Sequence, residues 1–183
     1  MSSNDRPPEK IDAIVVISYG STKTRLTRAS SEVALKAASL AKEHPESTLY
    51  WGFFGKSTFQ TTEKFLKDRL FRGLKHICVG SVTSTTDECE AISKYLPNTT
   101  QNIVVVVEGC HSRRCMKVWR YFHQNSYVYA SSINPIDGSD PGNPMWTQRH
   151  WIIWLPVNII LIPLYWGNGP RRMAKVNFSQ PTW

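Results

Sequence analysis

The sequence predicts an α/β protein: a doubly wound, mainly parallel, five-stranded sheet followed by an apolar C-terminal segment. Three observations predict it. Short apolar runs alternate with segments of helical periodicity from residue 13 to residue 130, the pattern of parallel strands joined by crossover helices. Val104, Val105, Val106 and Val107 are consecutive and β-branched, which reads as a strand buried on both faces. The polar and basic Glu108-Gly109-Cys110-His111-Ser112-Arg113-Arg114 that follows opens a helix at the carboxyl edge of that strand, where open α/β sheets bind ligands.

The elements follow in order. The first strand is residues 13–18 and ends in Tyr19-Gly20-Ser21. A helix over 30–44 carries Val33, Ala34, Ala37, Ala38 and Ala41 at helical spacing. The second strand is 48–54, and a helix over 61–72 is expected to turn Phe65, Leu66 and Leu70 inward, with Gly73 at its C-cap. The third strand is 76–79. Residues 81–88 then supply N-cap hydroxyls and first-turn carboxylates to a helix that reaches Tyr95 and stops before Pro97. A fourth strand over 103–107, a helix over 111–123, a fifth strand over 126–130 and a loop over 135–144 complete the domain. If the strand order is 3-2-1-4-5, right-handed crossovers place the topological switch between strands one and four, with Tyr19-Gly20-Ser21 beside the segment Glu108 to Arg114.

Composition bounds the partners. The chain divides into one domain over 1–145 and an apolar extension over 146–183. Twenty-two Lys and Arg against 14 Asp and Glu give a net charge of +8, which favours anionic partners: phosphorylated small molecules, acidic lipid surfaces or nucleic acid. No nucleic-acid signature accompanies the charge, so nucleic acid ranks third. Cys78, Cys89, Cys110 and Cys115 contain no CxxC pair and read as buried reduced thiols. Residues 1–10 are polar and have no apolar core, so no secretory signal is expected and the protein is placed in the cytoplasm or at the inner face of a membrane.

The residues at the switch carry the candidate chemistry. Gly20 would let a ligand approach the backbone, and the N–H groups at the helix start near His111 would favour an anion. Arg114 would clamp phosphate or carboxylate. His111 serves either as a general acid or base, or as a structural residue that caps the helix and bonds a loop carbonyl. Glu63, Asp87 and Glu88 each fall in a first helical turn and act either as caps or, jointly, as ligands for hydroxyls, an amino group or a hard divalent cation. Three motifs are set aside. Gly55-Lys56-Ser57-Thr58 imitates the end of a Walker A loop but has Tyr50 where the first Gly belongs. Cys110, His111 and Cys115 lack zinc-ligand spacing, so no metal is assigned, and Cys110 beside His111 is a weak case for a nucleophile.

This order of elements and turn residues resembles the SanA/ElyC/YdcF-like family of bacterial domains of unknown function. The resemblance rests on Asp12 to Gly20, on Thr61-Thr62-Glu63, on Thr85-Thr86-Asp87-Glu88 (or, offset by one, Thr86-Asp87-Glu88-Cys89), and on His111-Ser112-Arg113-Arg114-Cys115. It covers residues 11–130. Cys115 stands where the family has a small Ala, and Glu108-Gly109-Cys110 where relatives often carry hydroxyls. The resemblance implies a Rossmann-like domain with links to cell-envelope biogenesis and a ligand site that includes Thr85. It also implies S-adenosylmethionine, another nucleotide-like ligand or a phosphorylated envelope metabolite as candidate ligands, and specifies no reaction.

Residues 151–166 are a second unusual region, uncharged throughout, with Trp151 and Trp154 at one end and Tyr165 and Trp166 at the other. Arg149 and His150 precede it, and Arg171 and Arg172 follow. A spanning helix needs about 20 apolar residues, and Pro156 and Pro163 interrupt this run. It therefore reads either as an interfacial membrane or partner contact, with Trp151, Trp154, Tyr165, Trp166, Arg171 and Arg172 as contact residues, or as a C-terminal core element. The membrane reading makes the protein a non-catalytic adaptor, the alternative to a ligand-binding domain.

Overall fold

The computed structural model describes residues 8–55, 57–143 and 146–167, with 161–167 as backbone alone. Its sheet contains β1 (Ala13–Val16), β2 (Thr48–Phe54), β3 (His76–Val82), β4 (Asn102–Glu108) and β5 (Tyr127–Ile133). All neighbours pair in parallel, in the order β3-β2-β1-β4-β5. The sheet is thus wholly parallel and Rossmann-like. Helices α1 (Arg28–Glu43) and α2 (Gln60–Leu70) touch each other, as do α3 (Thr85–Ser93) and α4 (Gly109–Phe122). Because the chain crosses from β3 at one edge to β4 beside β1, the two helix pairs cover opposite faces. Central strands covered on both sides must be apolar throughout, and Ile14 to Val16 and Val104 to Val107 have no exposed surface. On α1, Val33, Ala34, Ala37, Ala38 and Ala41 are all buried, and their small side chains let the helix axis approach the sheet closely.

Several boundaries move for identifiable reasons. Helix α1 begins at Arg28 because Thr27 is the N-cap, its hydroxyl accepting the Ser30 N–H at 3.3 Å. Helix α4 begins two residues before His111 because Glu108 caps it. Strands β3 and β5 each continue three residues further than their apolar runs. Both are edge strands whose ends, with Ser81, Ser131 and Ser132, leave the core, and a register shift opposite Trp51/Gly52 carries β3 past Gly80.

The inward face of α2 is corrected. Phe65 is 62% exposed and Leu66 and Leu70 are half-buried, whereas Glu63 and Lys67 are fully buried. The helix lies over the end of β2, where backbone groups need partners: Glu63 Oε2 accepts the Phe54 N–H at 2.8 Å and Lys67 Nζ donates to the Gly52 carbonyl at 3.0 Å. An apolar row there would leave both unpaired.

The loop over 135–144 contains one helical turn, α5 (Pro135–Gly138). A 3-10 turn at Trp146–Gln148 leads into α6 (Trp151–Gly167), which runs through Pro156 and Pro163 instead of breaking at them. Pro156 is exposed, so the carbonyl its missing N–H leaves behind can be solvated. Helix α6 packs on α4. Trp154 belongs to the hydrophobic core and Asn158 is buried behind it, so this part of the apolar extension is a core element.

Candidate functional site

The carboxyl edge of the sheet gathers two polar networks on either side of the turn after β1. The first centres on His111, in the second position of α4 after its N-terminal Gly109 and 4% exposed. Its Nδ1 lies 3.0 Å from the Tyr19 hydroxyl, and its Nε2 lies 2.9 Å from Arg114 Nη2 and 3.1 Å from Thr85 Oγ1. A guanidinium can only donate, so Nε2 carries the lone pair and Nδ1 the proton. Burial, reinforced by the Arg114 charge, holds the imidazole well below the usual histidine range; it is neutral at pH 7. The Tyr19 oxygen also accepts the Glu108 N–H at 2.9 Å, and burial, with the nearby Glu108 charge, pushes its phenol well above the usual range. His111 therefore ties together the turn after β1, α3 and α4 through side chains, not through a loop carbonyl.

The second network begins one residue earlier in the chain. Ser18 donates its hydroxyl to Glu63 Oε1 at 2.6 Å and its N–H to Glu88 Oε1 at 3.1 Å. Lys67 Nζ pairs with the same Glu63 oxygen at 2.7 Å, with both side chains completely buried. Burial lifts the Glu88 carboxyl to about 8 despite the Lys67 charge and the Ser18 N–H, so near pH 7 it holds a proton. The buried cluster then contains one carboxylate and one ammonium, which is electrically balanced.

The N-terminus of α4 is already occupied. Glu108 accepts the Cys110 N–H at 3.0 Å through Oε1 and the His111 N–H at 3.2 Å through Oε2. That overturns the expectation of an anion site there, since an internal carboxylate has taken the helix N–H groups. Trp154 of α6 donates its indole N–H to Glu108 Oε2 at 2.7 Å. The same ring meets His111 edge-on at 5.9 Å and lies 5.8 Å beneath the Arg114 guanidinium. Gly138 closes the other side: a Cβ there would come within 2.9 Å of Glu108 Cγ. Between Tyr19, Glu108, Gly138 and Trp154 remains a cavity of about 10 Å³, room for one water at most.

The sequence-predicted residues divide accordingly. Tyr19, Thr85, His111 and Arg114 meet, and Glu63 and Glu88 meet through Ser18. Gly20 sits at φ +78, the left-handed turn that glycine permits, and its carbonyl accepts the Thr27 N–H and hydroxyl. Ser21 is turned away, its hydroxyl donating to the Phe59 carbonyl at 2.8 Å. Asp87 is a capping residue: Oδ2 accepts the Thr83 N–H at 2.7 Å and the Thr83 hydroxyl at 3.0 Å, while its own N–H donates to Ser84. Trp151 is exposed. Tyr165 and Trp166 lie in α6 with side chains outside the described residues, as do Arg171 and Arg172 entirely.

Ser18, Lys67 and the capping role of Glu108 escape the sequence reading. The Glu63/Lys67 i,i+4 spacing was visible, but such a pair usually lies on a solvated face. The position of Glu108, between a buried strand and a glycine, was the signal for the third. All four cysteines are unpaired, and burial and the Glu108 charge push the Cys110 thiol up to about 12, which suppresses the thiolate a nucleophile needs. Among the described residues no group of three His, Cys, Asp or Glu is placed to hold a metal ion. Compared with family models, curated proteins and solved structures, the chain matches none.

Proposed function

We propose that the chain is a ligand-binding domain of the SanA/ElyC/YdcF type, taking a small anionic or nucleotide-like molecule on the rim formed by Ser18, Ser84, Thr85 and Arg114. The observation that carries this reading is the convergence of buried ionisable side chains, Glu63, Lys67, Glu88, Glu108 and His111, from α2, α3, β4 and α4 onto one sheet edge. Buried charge rarely benefits folding compared with apolar packing, and its concentration at the switch point of a parallel sheet is a functional signature. Arg114 is half-buried, held between His111 and the Trp154 ring, and supplies the anion contact that the capped α4 N-terminus does not. The Ser18, Ser84 and Thr85 hydroxyls suit the ribose or amino group of a ligand such as S-adenosylmethionine, or a phosphorylated envelope metabolite, the classes the family resemblance implies.

Thermal unfolding and calorimetry with S-adenosylmethionine, adenosine monophosphate and inorganic phosphate test this. A binding probe at a hundred times its Kd stabilises the protein by about 2.7 kcal/mol, and Arg114→Ala weakens it by about 1.5–3 kcal/mol. Equal affinity in the variant removes Arg114 from the site, and no heat or stabilisation with any of the three probes overturns the reading.

A further inference from the structure

We propose that the outward face of α6 docks on an anionic lipid surface, the helix lying along the bilayer interface while its other face stays on α4. The helix is patterned in reverse. Toward the domain it presents Trp154 and the polar Asn158, both buried; outward it presents Trp151, Ile152, Ile153, Leu155, Ile159 and Ile160, each between 36% and 68% exposed. At about 100° per residue these outward positions, with Pro156, span roughly 200° of the helix without one charged side chain. An ordinary surface helix has its polar residues on that arc. Trp146, 60% exposed, lies in the 3-10 turn that packs against α6.

Charge selects lipid as the occupant. From Pro141 to the end of the sequence the chain has Arg149, Arg171, Arg172 and Lys175 and no Asp or Glu. Arg149 and His150 are exposed immediately before the helix, beside Trp146 and Trp151, which is the pairing of cations and indoles suited to a headgroup layer. A second copy docked through the same face would set this basic stretch against itself. The helix does not span: no described helix is long and apolar enough to cross a membrane, and Trp154 and Asn158 keep one side of it in the protein.

Flotation of the full chain with phosphatidylcholine vesicles, with and without phosphatidylglycerol, provides the test. The chain is expected to float only with the anionic vesicles, and less as salt rises. Ile152→Glu/Ile159→Glu lowers the bound fraction by about tenfold or more, with an unchanged unfolding curve because both side chains are exposed. Arg149→Ser lowers it about fivefold through lost charge, an independent readout should the double variant unfold. Absence of binding to anionic vesicles at low salt overturns the proposal, as does undiminished binding by the variants. A dimer that the double variant converts to monomer, without vesicle binding, assigns the face to a second copy instead. None of these outcomes depends on a ligand at Arg114.

Discussion

The indole N–H of Trp154 donates to Glu108 Oε2 at 2.7 Å, and this contact makes α6 part of the sheet edge. The Glu108 carboxylate faces the N–H groups of Cys110 and His111, the Cys110 thiol and this indole. Without the indole, the carboxylate still caps α4 but loses the cover that keeps water from His111.

One helix should therefore show two regimes. Trp154→Ala opens a cavity in the core and is expected to destabilise by about 3–5 kcal/mol. Trp154→Phe keeps most of the ring and loses the bond to Glu108, for about 1.5–3 kcal/mol. Ile160→Ala, on the exposed arc, should stay within about 0.5 kcal/mol. Urea unfolding followed by circular dichroism decides it; a small effect of Trp154→Ala would mean that α6 is not docked.

Glu88 makes stability fall as pH rises. Its folded carboxyl titrates at about 8 against an ordinary value of 4.5, so the folded state retains a proton that the unfolded chain has lost. The associated stability is complete below pH 4.5 and declines by up to about 1.4 kcal/mol per pH unit until pH 8. Glu88→Gln keeps an acceptor for the Ser18 N–H and cannot ionise. Melting temperatures from pH 5 to 8.5 should flatten in this variant, which becomes more stable than the parent at the upper end; parallel curves would remove Glu88 as the source.

The sheet was readable from sequence because its signals are local: apolar runs, small residues at helical spacing and the turn at Gly20 all sit within short windows. The alternation implied a parallel sheet, whereas the strand order β3-β2-β1-β4-β5 is one of several that alternation allows. The site was readable only in part. His111, Arg114 and Thr85 were singled out from the turns after β3 and β4 and do meet, whereas Asp87, equally prominent, turns back on Thr83. What made the difference is long-range. Ser18 and Glu63 are 45 residues apart and Glu108 and Trp154 are 46 apart, and no periodicity encodes either bond. The inward turn of Glu63 and Lys67 was hidden for a further reason, since hydropathy favours Phe65 for that face.

The buried pair of Glu63 and Lys67 should behave as a unit. Removing one partner by Lys67→Met leaves an uncompensated carboxylate and takes from the Gly52 carbonyl its Lys67 donor, for an expected loss of about 3–5 kcal/mol. Glu63→Gln/Lys67→Met removes both charges while retaining an acceptor for the Phe54 N–H, and should recover most of that loss. A double-mutant cycle from urea unfolding measures the coupling. Additive effects would mean that the two charges do not sense each other.

His111 acts on stability in the opposite direction to Glu88. Its folded pKa is held below the usual 6.5 by burial and by Arg114, so the unfolded chain binds the proton first. The stability this histidine contributes is therefore complete above pH 6.5 and is lost as pH falls toward the folded value. His111→Gln offers an N–H donor to Tyr19 and an acceptor to Arg114 and cannot become a cation. It is expected to unfold at a lower temperature than the parent at pH 7.5, because the amide fills less of the space against Tyr19 and Trp154, yet to lose less stability between pH 6.5 and pH 5. A variant with the parent's acid dependence would show that another group governs it. In turnover, a general acid or base at this position would instead show as a rate loss of about 100-fold or more in His111→Gln with ligand affinity retained. The Nε2 lone pair, already facing Arg114 and Thr85, gives the structural role the shorter path, and the pH dependence of melting separates the two without any substrate.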